Sequence, residues 1–139
     1  MSYIDTSVLI SALTRETATE HAQEWLAAQE SALYISDWTI TEFSSALSMK
    51  LRTRQISINE RNTALAAFNH LMGSSFEILP VSPGHFRTAA RFCERSELGL
   101  RAGDALHVAV AMEHGTQIVT FDRRLAEAGN LLGVNCVCF

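Results

Sequence analysis

The chain begins with Met1-Ser2-Tyr3-Ile4-Asp5-Thr6-Ser7-Val8-Leu9-Ile10, and this stretch decides the fold class. Tyr3 and Ile4 are typical of a short buried strand, and the polar segment after them ends it. The apolar residues that follow have the spacing of a helix. Asp5 is therefore predicted at the carboxyl end of the first strand, where open α/β sheets bind their ligands.

Strand and helix patterns alternate along the rest of the chain. Further strands are predicted over residues 33–35, 76–79 and 117–120, with a candidate edge strand at 134–137. Helices are predicted over residues 8–13, 21–28, 39–51, 57–72, 85–97, 103–114 and 122–128. Such alternation requires crossover connections, which produce a mostly parallel sheet. The sequence therefore predicts an α/β fold, and its 139 residues are most simply a single domain.

The bulk composition excludes several classes of protein. Hydrophobic residues make up 47% and charged residues 19% of the chain, as in soluble globular proteins. No apolar run is long enough to span a bilayer, and the N-terminus lacks the pattern of a secretory signal. The three cysteines lack metal-site spacing, and they fit a reducing, cytoplasmic environment better than a disulfide framework.

The charge balance bears on possible partners. A net charge of −4 argues weakly against a generic nucleic-acid binder, which is usually basic. However, ten of the eleven basic residues are arginine, whose guanidinium fork matches phosphate oxygens. A chain that concentrates acids in one site and arginines around it can be acidic overall and still bind a polyanion.

Three further acids are predicted at the same edge of the sheet as Asp5. Asp122 lies just past the fourth strand, and Glu42 and Asp104 lie in the first turns of predicted helices. In a parallel sheet the carboxyl ends of strands and the N-termini of the neighbouring helices gather along one edge. Four carboxylates that are far apart in sequence are therefore expected to converge.

Each acid also has an ordinary structural interpretation. Glu42 follows Thr39 by three residues, which is the spacing of a capping box. Asp104 and Asp122 begin helices, where acids interact favourably with the positive end of the dipole, and Asp5 is a candidate helix cap. Taken one at a time, the structural role is the favoured interpretation of Glu42, Asp104 and Asp122.

Taken together, the four acids favour a cation site. Several carboxylates at one edge repel one another and retain protons unless a cation lies between them. An oxygen-only cluster without histidine or cysteine suits Mg²⁺ or Mn²⁺ and not Zn²⁺. Such ions activate water and neutralise charge on a leaving oxygen. The pattern therefore points to phosphoryl chemistry but does not by itself select a phosphodiester.

Four motifs in order resemble those of the PIN domain, and more narrowly those of the VapC-type toxins of prokaryotic toxin–antitoxin pairs. The motifs are Asp5-Thr6-Ser7 after a short strand, Ile40-Thr41-Glu42-Phe43, Leu100-Arg101-Ala102-Gly103-Asp104-Ala105-Leu106 and Ile118-Val119-Thr120-Phe121-Asp122. The resemblance covers nearly the whole chain. It implies a three-layer α/β/α sandwich with a parallel sheet of four or five strands. It also implies a ribonuclease that uses Mg²⁺ or Mn²⁺ and leaves 5′-phosphate and 3′-hydroxyl ends.

The resemblance also assigns roles to residues. Asp5, Glu42 and Asp104 match the principal metal ligands, and Asp122 matches the fourth acid, which the family varies most. Thr6 and Thr120 match hydroxyl residues that position water or a carboxylate beside the ligands. A homodimer is implied, as is a cognate antitoxin protein that blocks the site.

Four arginines lie close in sequence to the acidic motifs and are candidates for binding substrate phosphate. They are Arg15, Arg101, Arg123 and Arg124. His107 lies one helical turn after Asp104 and could approach the site, but a packed, hydrogen-bonded histidine is the favoured interpretation.

Two other functions remain open from the sequence. The first is a non-catalytic PIN-like module that binds RNA or protein, which the intact set of acids disfavours. The second is a metal-dependent phosphotransfer or phosphatase domain. A receiver domain needs a lysine at a strand end, whereas Lys50 ends a predicted helix. A haloacid-dehalogenase-like phosphatase needs a second aspartate where Ser7 stands.

Overall fold

The computed structural model describes all 139 residues, and its centre is a fully parallel five-stranded sheet. The strands are β1 (Ser2–Ile4), β2 (Leu33–Ser36), β3 (Phe76–Leu79), β4 (Gln117–Thr120) and β5 (Cys136–Cys138). Their order across the sheet is β3-β2-β1-β4-β5, so the first strand is central. Tyr3 pairs with Tyr34 on one side and with Ile118 on the other.

Seven helices flank the sheet. They are α1 (Thr6–Leu13), α2 (Thr19–Ala27), α3 (Asp37–Arg52), α4 (Ile58–Ser74), α5 (Pro83–Glu94), α6 (Ala102–His114) and α7 (Arg123–Leu131), with a short 3₁₀ turn at Ser96–Leu98. None of the helices combines the length and the apolar composition that a membrane crossing requires.

The two faces of the sheet bury different sets of helices, because successive side chains in a strand point to opposite faces. Ile4 packs with Leu9, Phe43 and Phe68 in a cluster that the helices α1 to α4 share. Its neighbour Tyr3 packs in a second cluster, to which α6 and α7 contribute Val108, Val110 and Leu125. The fold is therefore the three-layer α/β/α sandwich that the sequence predicted.

The start of α3 differs from the prediction, and the difference affects Glu42. The helix begins at Asp37 and not at residue 39, because Ser36 and Thr39 form the capping box. The Thr39 N–H donates to Ser36 Oγ at 3.4 Å, and the Ser36 N–H donates to Thr39 Oγ1 at 3.2 Å. The capping interpretation of Glu42 is therefore wrong, and its carboxylate is free for other partners.

Other boundaries also differ from the predicted ones, and two of them have a clear local cause. Helix α5 ends at Glu94 and not at residue 97, because the chain leaves helical geometry at Arg95 and enters the 3₁₀ turn. Strand β5 begins at Cys136 and not at residue 134, because Gly133, at a φ of 88°, makes the turn that precedes it. Neither change moves a predicted acid.

Candidate metal centre

Asp5 lies at the junction of β1 and α1, where it caps the helix. The carboxylate is buried, and its Oδ2 atom accepts from Ser7 Oγ at 2.6 Å and from Thr120 Oγ1 at 2.8 Å. The Ser7 N–H also points at this oxygen, at 3.4 Å. Three donors therefore orient the Oδ2 atom of Asp5, and its Oδ1 atom lies 3.3 Å from Nε2 of His107. Thr120 has the contact with a carboxylate that its sequence position predicted.

Glu42 reaches the same place from the second turn of α3. Its Oε1 atom accepts from Thr6 Oγ1 at 2.5 Å and lies 2.7 Å from Nε2 of His107. Burial raises the pKa of Glu42, but the hydrogen bond and charge of His107 and the hydrogen bond from Thr6 outweigh it, so the pKa is lowered. Glu42 is therefore ionised at neutral pH, and Thr6 directly contacts it.

Asp104 lies in the first turn of α6 and is only partly exposed. Burial raises the pKa of Asp104 to about 6, and the negative charges of Asp5, Asp122 and Glu42 add to that effect. No hydrogen bond from the protein lowers its pKa in compensation. Of the four acids, Asp104 is the one whose charge is least compensated by the protein.

Asp122 caps α7 and lies just past β4, at the helix start where the sequence predicted it. Its Oδ1 atom accepts from the N–H of Arg124 at 2.9 Å and from the N–H of Leu125 at 3.2 Å. Its own N–H donates to Thr120 Oγ1 at 2.9 Å. One carboxylate oxygen of Asp122 therefore has a structural role, and the charge of the group still acts on Asp104.

The structure brings all four predicted acids to one cavity of about 440 Å³. Its polar lining consists of Asp5, Thr6, Ser7, Glu42, Ser45, Asp104 and Asp122. A neighbouring cavity of about 500 Å³ shares Asp104 and Asp122 and is lined by the predicted arginines Arg101, Arg123 and Arg124. Arg15 lines neither cavity and instead lies close to Glu60 at the start of α4.

His107 is a further side chain that contacts the predicted acids. Its ring is fully buried, and its Nε2 atom lies 2.7 Å from Glu42 Oε1 and 3.3 Å from Asp5 Oδ1. Burial alone would lower the pKa of His107, but Tyr3, Glu42 and Asp5 hold it well above its usual range. The residue is packed and hydrogen-bonded as expected, but its partners are the acids of the site. The signal in the sequence was its spacing of one helical turn from Asp104.

The chemistry of these donors fits a hard divalent cation. Asp104 accepts no hydrogen bond from the protein, and Asp5 and Asp122 each accept their hydrogen bonds from the protein at a single oxygen. Ligand atoms of Asp5, Glu42 and His107 all lie within 4.8 Å of one another. Carboxylate oxygens are the ligands that Mg²⁺ and Mn²⁺ prefer, and a cation would relieve the repulsion that raises the pKa of Asp104.

A second group of possible ligands, at the other end of α6, fits a cation less well. It consists of His85, Glu113 and His114. The Ser82 N–H donates to Nδ1 of His85 at 2.9 Å, so the neutral ring carries its proton on Nε2, which donates to Glu113. Both ring nitrogens of His85 therefore already have hydrogen-bond partners within the protein.

The fold agrees with a comparison of the sequence against known families. The profile of the PIN domain matches residues 2–131. The chain belongs to the PIN domain family. No curated protein sequence gives a significant match.

Solved structures with the same fold include PIN proteins of toxin–antitoxin systems. The structure of VapC20 from Mycobacterium tuberculosis, described as a sarcin-ricin loop cleaving toxin, is 19% identical, with a TM-score of 0.76 over 93% of this PIN domain and 95% of that chain. DNA-bound VapBC from Salmonella typhimurium is 18% identical, with a TM-score of 0.71 over 99% of this chain and 96% of that one. PAE2754 from Pyrobaculum aerophilum is 28% identical, with a TM-score of 0.65 over 98% of this chain and 83% of that one.

Proposed function

We propose that this PIN domain is a metal-dependent endoribonuclease that acts as the toxin of a toxin–antitoxin pair. The observation that carries the proposal is the meeting of four acids from four separate segments in one cavity. The raised pKa of Asp104 adds to it, because carboxylates that repel one another provide the electrostatic conditions for a cation. VapC20, which is described as a sarcin-ricin loop cleaving toxin, supports RNA as the expected substrate class.

In this proposal Asp5, Glu42, Asp104 and Asp122 hold one or two Mg²⁺ or Mn²⁺ ions. The ions supply Lewis acidity, which activates water and stabilises charge on the scissile phosphate. Thr120 and Ser7 fix the carboxylate of Asp5, and Thr6 fixes that of Glu42. Hydrolysis leaves a 5′-phosphate and a 3′-hydroxyl.

Arg101, Arg123 and Arg124 are proposed to bind phosphates of the RNA next to the scissile one. They line the cavity that adjoins the acids through Asp104 and Asp122. This placement puts positive charge beside the proposed cation site without neutralising the acids in it. Guanidinium groups bind phosphate oxygens in a bidentate manner, so the arginines would orient the backbone of the RNA.

The proposed partners follow from the same solved structures. VapBC from Rickettsia felis and from Salmonella typhimurium are complexes bound to DNA. We infer that this chain acts in the cytoplasm as a single domain, forms a homodimer and is inhibited by a cognate antitoxin protein. Light scattering of the purified chain tests the dimer. Co-purification with the product of a neighbouring small reading frame tests the antitoxin.

The test of the enzymatic activity is cleavage of single-stranded and structured RNA with Mg²⁺, with Mn²⁺ and with a chelator. The wild-type chain should cut only with metal, and mapping of the new ends should find 5′-phosphates. Asp5→Asn should abolish cleavage, and Asp37→Asn, which changes an exposed acid in the first turn of α3, should not. Cyclic phosphate ends would contradict the chemistry. RNA binding without cleavage would favour a non-catalytic binding module.

A further inference from the structure

Tyr3 is a residue of β1 whose hydroxyl contacts both α6 and the start of α3. Its hydroxyl lies 2.7 Å from Ser36 Oγ and 3.3 Å from Thr39 Oγ1, in the cap of the helix that carries Glu42. The same hydroxyl lies 2.6 Å from Nδ1 of His107, on the helix that carries Asp104. Tyr3 and His107 are both fully buried, so no water competes for these contacts.

These contacts fix which way the His107 ring faces. With Nδ1 held by the Tyr3 hydroxyl, Nε2 must point to the acids, where it lies 2.7 Å from Glu42 Oε1. A carboxylate has no proton to donate, so the proton of this hydrogen bond belongs to Nε2. The ring therefore presents an N–H group to Glu42, and Nε2 has no lone pair available for a metal.

We propose that His107, anchored by Tyr3, is a positioning residue that holds Glu42 in place by donating from Nε2, and that it is neither a metal ligand nor merely part of the packed core. The inference rests on the proposed function, since it assumes that Glu42 binds the ion. It assigns a role to a side chain outside the set of acids.

Glu42 needs a positioning residue because the glutamate side chain is flexible. Glu42 is at the end of three rotatable bonds, and binding an ion requires its carboxylate to stay in one orientation. Thr6 and His107 donate to the same oxygen from different elements, α1 and α6, so together they fix the carboxylate in direction as well as in distance. Groups that orient metal ligands in this way typically change metal affinity by about 10- to 100-fold when removed.

The test is calorimetric titration of Mn²⁺ into the full chain, with variants that separate donation from packing. His107→Leu fills the space without a donor and should weaken Mn²⁺ binding by about tenfold or more. His107→Gln can still donate from its amide and should recover most of that loss. His85→Leu removes the other buried histidine, which does not contact the four acids, and should leave Mn²⁺ affinity unchanged.

A second variant covers the case in which His107→Leu does not fold. Tyr3→Phe keeps the ring of Tyr3 and removes the hydroxyl that holds Nδ1 of His107 and also contacts Ser36 and Thr39, and it should weaken Mn²⁺ binding by about fivefold. An unchanged affinity in Tyr3→Phe, or in a folded His107→Leu variant, would overturn the proposal.

Electron spin-echo spectroscopy of bound Mn²⁺ distinguishes a donor from a ligand. The wild-type protein should show no strong coupling to a histidine nitrogen, and a directly coordinated nitrogen would overturn the positioning role. Failure of the wild-type chain to bind Mn²⁺ at all would instead refute the proposed function. The two failures are therefore distinguishable.

Discussion

Gly103 lies directly against the carboxylate of Glu42. A Cβ atom added at this glycine would stand 2.7 Å from Glu42 Oε2, closer than such atoms approach in proteins, and 3.2 Å from the indole of Trp38. Gly103 is in the first turn of α6, one residue before Asp104. The missing side chain gives Glu42 the room to reach the acids on α6, so here a glycine inside a helix has a role in the site.

Substitution of Gly103 should lower the Mn²⁺ affinity without lowering the stability of the protein. Gly103→Ala removes the conformational cost of glycine in a helix, which is about 0.5–1 kcal/mol. The added methyl group meets the flexible end of the Glu42 side chain, which can move aside while the backbone stays in place. We expect a folded protein whose melting temperature is close to that of the wild type and whose Mn²⁺ affinity is lower by about tenfold. Thermal melting and titration calorimetry measure the two effects.

The matched control is Gly73→Ala in α4, where a Cβ atom would meet nothing within 4 Å. That variant should gain stability and keep its metal affinity. Wild-type affinity in Gly103→Ala would show that the close approach to Glu42 has no functional importance.

Asp104 should destabilise the metal-free protein at neutral pH. Burial raises its pKa to about 6 from an ordinary value of 3.8, and nearby acids reinforce the shift. Between these two values the folded state binds more protons than the unfolded state, so the stability contributed by this group falls as pH rises from about 4 to about 6. Asp104→Asn should therefore raise the free energy of unfolding at pH 7.5 by about 1–2 kcal/mol, allowing for solvent screening. At pH 4 it should have little effect.

Urea denaturation of the metal-free protein at the two pH values measures this difference. If Asp104→Asn changed the free energy of unfolding equally at pH 4 and pH 7.5, the charge of the Asp104 carboxylate would not destabilise the folded state. Added Mg²⁺ should stabilise the wild-type protein and not the variant.

Metal binding should compete with the proton on Asp104. Because the pKa of this group is about 6, ions bind the deprotonated form above that pH and must displace a proton below it. We expect the Mn²⁺ affinity at pH 5 to be about tenfold lower than at pH 7.5. Calorimetry in buffers of different ionisation enthalpy should detect the released proton at pH 5. A Mn²⁺ affinity that does not change between these pH values would contradict a role for Asp104.

Arginines beside the acids should contribute to RNA binding through phosphate contacts. Arg101 and Arg123 line the cavity that adjoins Asp104 and Asp122, whereas Arg87 lies exposed on α5. In an inactive Asp5→Asn background, Arg101→Gln or Arg123→Gln should weaken binding of single-stranded RNA. Each should also reduce the slope of log affinity against log salt by about 0.7. Fluorescence anisotropy across a salt series measures both quantities. If Arg87→Gln weakened RNA binding as much, the arginines would contribute only non-specific electrostatic attraction to the RNA.

Much of the fold followed from local patterns in the sequence. Tyr3, Ile4 and the apolar runs near residues 35, 78 and 118 predicted the strands, and β1, β2 and β4 are almost continuously apolar because both of their faces are buried. Asp5 was predicted correctly as a helix cap, and Asp122 was placed at the start of its helix, because both positions depend only on where a strand ends and a helix begins.

The contacts of Glu42 could not be predicted from the sequence. The spacing of Thr39 and Glu42 predicted a capping box, but the structure uses Ser36 with Thr39, and the helix starts two residues earlier than predicted. The partners of Glu42 come from α1 and α6, 36 and 65 residues away, and such pairings depend on how the layers pack. For the same reason, the sequence did not predict that His107 contacts Glu42 and Asp5.

The central claim is that carboxylates from distant segments share a divalent ion. Anomalous diffraction from crystals soaked in Mn²⁺ tests it most directly. The account predicts a manganese peak within about 2.5 Å of carboxylate oxygens from Asp5 and Asp104, with Nε2 of His107 outside the coordination sphere. A peak only at the His85, Glu113 and His114 group, or no peak among the four acids at millimolar Mn²⁺, would contradict it.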